Sequence, residues 1–284
     1  MFEQNVTLAP FTTFKIGGPA KYFFRAKTID ELIQALNKNA GQPLCILGGG
    51  SNVLVNDKGF DGLVIKVEIG GISIKENAVT AGAGLPLSAV IRAAVGKGLA
   101  GLEFATGVPA SVGGAIWANL GCRGSDISKV LTECTVTDRQ GQITMLSNTQ
   151  CQFSYRNSIF KREPLIVLDA TFQLQPSDPT TLRKTMIELS NLKKQEQNVG
   201  EDTAGCTFRN PPDSSKSAAQ LIDELGLKGY RIGDAMVSPT HANFILNVGQ
   251  ATADQVVQLI SYVKQQVRDK AGVQLMEEIE YVGF

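Results

Sequence analysis

Two glycine-rich segments hold the residue types best suited to gripping a ligand by backbone alone. Gly48-Gly49-Gly50-Ser51-Asn52 follows the apolar run Leu44-Cys45-Ile46-Leu47. Consecutive glycines there let backbone N–H groups converge on one point, an anion-binding concavity suited to a pyrophosphate; the alternative is a tight hairpin with no ligand. The second segment, Gly107-Val108-Pro109-Ala110-Ser111-Val112-Gly113-Gly114-Ala115-Ile116-Trp117-Ala118-Asn119, combines glycines and small residues with a polar end. Such a stretch can lie flat against a large planar ligand, or form a buried small-residue turn under Trp117. The usual dinucleotide fingerprint needs a helix directly after its glycines, whereas Val53-Leu54-Val55 favours a strand. A Walker loop fails for want of Gly-Lys-Ser/Thr.

Metal chemistry finds little support. The cysteines, Cys45, Cys122, Cys134, Cys151 and Cys206, are odd in number and widely spaced with no CxxC pair, and His241 is the sole histidine. Neither a disulfide framework nor a zinc site follows from that pattern, and no metal is expected.

The elements that must position these segments are legible in part. Thr28-Ile29-Asp30-Glu31 has capping-box form, and Leu32 and Leu36 continue at helical spacing, which predicts a helix to about Asn39. Leu44–Leu47 reads as a buried strand and Val53–Val55 as a second; further strands are predicted at Leu63–Val67, Ala78–Gly82, Thr135–Thr137, Ile143–Leu146 and Leu165–Phe172. Asp178-Pro179 opens a polar helix reaching about Gln197. Ser217-Ala218-Ala219-Gln220 and Thr252-Ala253-Asp254-Gln255 are capping boxes that start two more helices, with Gly226 closing the first. In the second, Val256, Ile260, Val263 and Val267 form an apolar stripe, flanked by strands at Asn243–Val248 and Val273–Tyr281. The class is α+β, and the junction between domains is taken at residues 176/177.

Composition bounds the function. With 284 residues, 43% of them hydrophobic and 19% charged, the chain has a core and enough length for two domains. Lys plus Arg and Asp plus Glu number 27 each, so no basic field exists to hold nucleic acid. Met1 to Phe11 lacks the form of a signal peptide and no apolar run is long enough to span a bilayer, so a cytoplasmic location without membrane insertion is expected. A monomer or weak oligomer is expected.

The segments Thr13-Phe14-Lys15-Ile16-Gly17-Gly18, Gly48–Asn52, Gly107–Asn119, Tyr155-Arg156, Ala204-Gly205-Cys206-Thr207-Phe208-Arg209-Asn210-Pro211, Ser238-Pro239-Thr240-His241-Ala242-Asn243-Phe244 and Leu275–Gly283 occur in one order along nearly the whole chain. In that order and at compatible spacing they resemble the UDP-N-acetylenolpyruvoylglucosamine reductase family, in its shorter form. The resemblance implies an FAD-binding domain of the vanillyl-alcohol-oxidase type in two lobes (residues 1–176) and a smaller α+β substrate-binding domain (residues 177–284). It implies non-covalent FAD, NADPH as co-substrate, and reduction of the enolpyruvyl group of UDP-N-acetylenolpyruvoylglucosamine to UDP-N-acetylmuramate for peptidoglycan precursor synthesis.

By the same resemblance, Cys206 stands where the family usually has a serine that protonates the enolate carbon. A thiol, with an unperturbed pKa of about 8.5, is mostly protonated at neutral pH and can keep that role. Read alone, Cys206 is better explained as a buried structural cysteine; within Gly205–Pro211 the catalytic reading takes over. Arg156 matches the arginine that holds the substrate carboxylate, a task its planar fork suits; without the motif it reads as a surface-pair arginine. Glu278 matches the C-terminal catalytic glutamate, which as a protonated acid with a raised pKa could hydrogen-bond developing charge; its bland reading is a solvated edge strand. Alternation would place Glu278 with Met276 and Glu280, opposite Leu275, Glu277 and Ile279. Glu280 replaces an arginine common among relatives. The resemblance assigns FAD to Gly48, Gly49, Gly50, Ser51, Asn52, Gly107, Ser111, Gly113, Gly114, Ile116 and Asn119, and substrate contacts to Arg209, Asn210 and His241, with help from Lys193 or Lys194. The rival readings are another flavin oxidoreductase of the same architecture and a non-catalytic nucleotide-sugar binder. Covalent flavin attachment through a histidine of the FAD domain is disfavoured because His241 lies elsewhere.

Overall fold

Capping chemistry fixes several helices where the sequence places them. The computed structural model describes residues 1–39, 41–197 and 200–284. Thr28 Oγ1 accepts from Glu31 N at 3.2 Å while Glu31 Oε2 accepts from Thr28 N at 3.3 Å, and α1 (Ile29–Lys38) buries Leu32, Ala35 and Leu36. The described residues fall into two compact units: one of Phe23–Gly49 with Leu63–Lys193 and Met1, the other of Phe2–Tyr22, Gly50–Gly62 and Lys194–Phe284.

In the first unit Leu44–Leu47 runs parallel to Leu63–Lys66, within the strand Phe60–Val67. A five-stranded antiparallel sheet follows, in the order Ile143–Ser147, Leu131–Thr137, Ile166–Gln173, Ala78–Gly82, Ile72–Lys75. Two helices absent from the sequence reading lie in this unit. α2 (Leu87–Gly96) buries Leu87, Val90, Ile91, Ala94 and Val95, and starts after Pro86 with no side-chain cap. α3 (Val112–Trp117), inside the second glycine segment, is capped by Ser111 and packs against the strand Ile166–Gln173. α4 (Pro179–Glu196) begins as expected, with Asp178 Oδ2 accepting from Thr181 N and Oγ1, each at 2.8 Å. Cys134 and Cys151 are buried with their sulfurs 3.7 Å apart, and all the cysteines are free thiols.

In the second unit an antiparallel sheet has the order Thr203–Cys206, Phe244–Asn247, Ala235–Val237, Arg231–Ile232. α5 (Ala218–Glu224) and α6 (Ala253–Ala271) both start on the expected capping boxes, and Gly272 ends α6 at φ 68°. Val256, Leu259, Ile260, Val263 and Val267 of α6 join Phe14, Ile16, Leu54, Phe208, Leu275 and Ile279 in one core. Burying each such side chain contributes about 1.5–3 kcal/mol. Thr13 Oγ1 donates to Thr203 O at 2.6 Å, Asn247 Nδ2 to Phe14 O at 3.1 Å, and Glu280–Val282 lies parallel to Val53–Val55. These bonds group the early segments with the late ones, so the compact units are a different partition from a single cut at residues 176/177.

The expected strand Val273–Tyr281 is shorter: only Glu280–Val282 forms a ladder, and Glu277 makes an isolated bridge to Phe208. The α+β class read from the sequence is the class of the fold. Among the described residues no helix is long and apolar enough to cross a membrane.

Candidate active site

The first unit brings the two glycine segments together. Ser111 Oγ, on a residue 3% exposed, accepts from Gly49 N at 3.2 Å and from Gly114 N at 3.3 Å. A Cβ at Gly48 would meet that oxygen at 2.5 Å, and one at Gly49 would lie 3.2 Å from Ser111 N. Gly49 and Gly114 are both exposed, so bare backbone forms the surface there. Lys66 Nζ donates to the Gly48 carbonyl, and burial pulls the ammonium below the usual lysine pKa. Gly113 packs close to Ala83, with its would-be Cβ 3.1 Å from that methyl. Gly107, at φ 76°, faces the Lys193 stem.

Gly48–Asn52 is not a hairpin, because the strands on either side of it pair with Leu63–Lys66 and with Glu280–Val282 rather than with each other. In the second unit, Gly50 (φ 67°) carries no room for a side chain: a Cβ would fall 2.0 Å from Phe11 O. The N–H groups of Gly50, Ser51 and Asn52 have no hydrogen-bond partner among the described residues. Within the second unit, three successive unpaired donors beside a forced glycine fit a diphosphate; within the first, the bare Gly49 and Gly114 backbone fits close approach of a planar ring.

Other residues assigned to the cofactor by resemblance are placed differently. Ser111 spends its hydroxyl joining the glycine segments, and Ile116 is fully buried, leaving no side-chain surface for a ligand. Asn119, 4% exposed, donates from Nδ2 to Ser154 O at 3.0 Å and accepts from Ser128 N at 3.1 Å. Arg156 follows on the same turn, closed by the Ser154–Asn157 bridge, and its Nη1 donates to Gly121 O at 2.8 Å.

The second unit sets the main chain of Glu278 beside that of Thr207, next in sequence to Cys206. The strand Thr203–Cys206 pairs Cys206 with Phe244, and Glu278 N donates to Thr207 O at 2.7 Å, one residue past the cysteine. Asn52 Nδ2 donates to Glu278 O at 3.1 Å and Asn52 O accepts from Glu280 N at 2.9 Å, so Asn52 clamps the glutamate's backbone. Its neighbour Glu277 accepts from Lys264 Nζ of α6 at 2.8 and 3.0 Å. Leu275 and Ile279 point into the core while Met276 is 60% exposed, so the alternation around Glu278 holds even without a continuous strand.

Asn210 Oδ1 accepts from Ala218 N at 3.1 Å, at the start of α5. Arg209 Nε is buried with no hydrogen-bond partner among the described residues. The same holds for His241 Nδ1; that ring packs on Phe244 with centroids 4.6 Å apart, and burial lowers its pKa. Two residues passed over in the sequence reading support the site. Asn243 Oδ1 accepts from Phe208 N at 2.9 Å and its Nδ2 donates to Phe208 O at 2.8 Å, bracing the segment after Cys206. Lys66 is the other, and its signal was a lysine inside the apolar run Leu63-Val64-Ile65-Lys66-Val67.

Comparison with known proteins matches residues 20–147 to an FAD binding domain family. Residues 197–282 match the family described as UDP-N-acetylenolpyruvoylglucosamine reductase, C-terminal domain. The UDP-N-acetylenolpyruvoylglucosamine reductase of Caldicellulosiruptor saccharolyticus is 42% identical over 99% of this chain and 92% of its own length. That of Bacillus pumilus is 38% identical over 99% of this chain and 93% of its own. The crystal structure of the Thermus caldophilus UDP-N-acetylenolpyruvylglucosamine reductase superposes with a TM-score of 0.86 at 34% identity, covering 99% of this chain and all of that one. Full-length identity at this level, joined to the placement of Cys206 and Glu278, makes the chain a member of the UDP-N-acetylenolpyruvoylglucosamine reductase family.

Proposed function

We propose that the chain is an NADPH-dependent flavoenzyme that reduces the enolpyruvyl group of UDP-N-acetylenolpyruvoylglucosamine to give UDP-N-acetylmuramate, a step of peptidoglycan precursor synthesis in the cytoplasm. The observation that supports this reading is the backbone bond from Glu278 N to Thr207 O, which sets the glutamate's main chain one residue from Cys206.

The chemistry that bound FAD supplies is two-electron transfer, hydride from NADPH and then hydride to the enolpyruvyl double bond. Gly48–Asn52 and the Gly107–Gly114 backbone would hold that cofactor, the unpaired N–H groups of Gly50, Ser51 and Asn52 being available as phosphate donors. Arg156 pairs its guanidinium with the substrate carboxylate, where a fixed positive charge lowers the cost of charge accumulating on the enolate. Cys206 delivers its Sγ proton to the enolate carbon. Glu278, as the neutral acid, donates a hydrogen bond to the same carboxylate and shares its charge. Arg209, with a buried unpaired Nε–H, and His241, with a buried unpaired Nδ1, offer substrate contacts alongside Asn210. In domain terms, residues 1–176 hold the cofactor and residues 177–284 the sugar nucleotide.

The test is an anaerobic visible spectrum with sequential additions. A flavin band that bleaches with NADPH and returns only on adding the enolpyruvyl sugar nucleotide supports both half-reactions. Bleaching without return removes the substrate assignment, and failure to take up FAD removes the flavin assignment.

A further inference from the structure

We infer that Asn119 is a positioning residue for the Arg156 guanidinium and not a cofactor ligand, an inference that rests on the role proposed above for Arg156. The segment 117–121 grips the segment 154–158 at three points. Two residues before the arginine, Ser154 O accepts from Asn119 Nδ2 at 3.0 Å. Two residues after it, Ser158 Oγ, on a fully buried side chain, donates to Trp117 O at 2.6 Å. The guanidinium itself donates from Nη1 to Gly121 O at 2.8 Å, and a Cβ at Gly121 would lie 3.2 Å from that nitrogen.

Backbone conformation explains why so many ties are needed. Arg156 sits at φ 52° and Asn119 at φ 43°. Asparagine enters the left-handed region with little penalty, whereas arginine does so only where its surroundings hold it. The Asn119 carboxamide is occupied at both ends, its other end accepting from Ser128 N at 3.1 Å, and at 4% exposure it offers a planar ligand almost no surface. Its chemistry is spent on the turn that aims the arginine.

Two substitutions separate positioning from cofactor binding. Asn119→Asp keeps size, left-handed tolerance and the acceptor for Ser128 N, but turns an oxygen toward Ser154 O. Asn119→Gly keeps the backbone and removes both bonds. In each, flavin content and the rate of bleaching by NADPH stay close to the parent. With one buried hydrogen bond lost from the mount, kcat/KM for the enolpyruvyl sugar nucleotide falls about tenfold. In an Arg156→Lys background the same substitutions change kcat/KM less than about twofold, because a residue acting through the arginine fork has nothing left to act through. Equal losses in both backgrounds, or loss of flavin together with the reductive step, would overturn the inference. A crystal structure of Asn119→Gly decides the matter independently of activity. The guanidinium leaves Gly121 O if Asn119 positions it; an unmoved guanidinium overturns the inference. If the parent protein itself ignores the sugar nucleotide, the functional reading fails while the position of the guanidinium still settles Asn119.

Discussion

Replacing Gly48 with alanine sets a methyl group 2.5 Å from Ser111 Oγ, where ordinary contact begins near 3.4 Å. The hydroxyl must swing away by most of an ångström, yet it is 3% exposed and accepts from both Gly49 N and Gly114 N. Both N–H groups then lose their acceptor. Because both glycines are exposed, water restores part of the loss, and the low end of about 0.5 kcal/mol each applies. Crowding a packed site costs about 1–3 kcal/mol more. The total is about 2–4 kcal/mol, and its lower end alone corresponds to about a 30-fold change in an equilibrium constant. The strain sits where the cofactor backbone surface is formed, so FAD affinity, measured by flavin fluorescence titration, weakens by at least about 30-fold if the cost falls on binding. If it falls on the fold, the calorimetric Tm of the apoprotein drops by about 4 °C or more. Gly96→Ala is the control: that glycine is exposed at the end of α2 with nothing within 4 Å of the new Cβ, and the change stabilises by about 0.4–1 kcal/mol. A Gly48→Ala protein with parental FAD affinity and parental Tm refutes the contact between the glycine segments as the reason glycine stands there.

Cys206→Ala keeps flavin and is bleached by NADPH but loses sugar-nucleotide turnover, and Cys206→Ser regains part of it; rapid turnover by the alanine variant removes the thiol as the acid. Asn243→Ala, at a residue 4% exposed, leaves the buried Phe208 N–H and carbonyl without partners and costs about 2–4 kcal/mol, read as a lower denaturation midpoint. Burial holds His241 below its ordinary pKa of 6.5, so the unfolded chain takes up a proton first as pH falls. Stability from this group is therefore full above about pH 6.5 and declines as pH drops toward the lowered folded value. His241→Gln flattens that slope in a Tm series, and an identical slope in parent and variant rules the histidine out as its source.

The features legible in the sequence are those set by neighbours along the chain. The boxes at Thr28, Ser217 and Thr252 are closed by residues three positions on, and each starts a helix where its pattern says. α2 keeps helical spacing in Leu87, Val90, Ile91, Ala94 and Val95 but escaped because Pro86 supplies no capping side chain to mark its start. α3 escaped because Gly113 and Gly114 argue against a helix, while the Ser111 cap and packing against Ile166–Gln173 hold it. Residues 273–279 show buried Leu275 and Ile279 at strand-like spacing but find no partner strand beyond the Phe208 bridge. At the candidate site the residue types were readable and their partners were not. Ser111 meets Gly49 across 62 positions, Asn119 meets Ser154 across 35, and Asn52 meets Glu278 across 226.

The second compact unit is assembled from Phe2–Tyr22, Gly50–Gly62 and Lys194–Phe284, with Val53–Val55 taking a parallel partner from Glu280–Val282. During vectorial synthesis its early segments emerge from the ribosome long before the chain that completes them. The first unit, whose pieces end at Lys193, has its whole sequence in hand sooner. Nascent chains paused between those points carry Phe14, Ile16 and Leu54 with no finished core to receive them, which makes this interval the one in which chaperone capture and aggregation compete with folding.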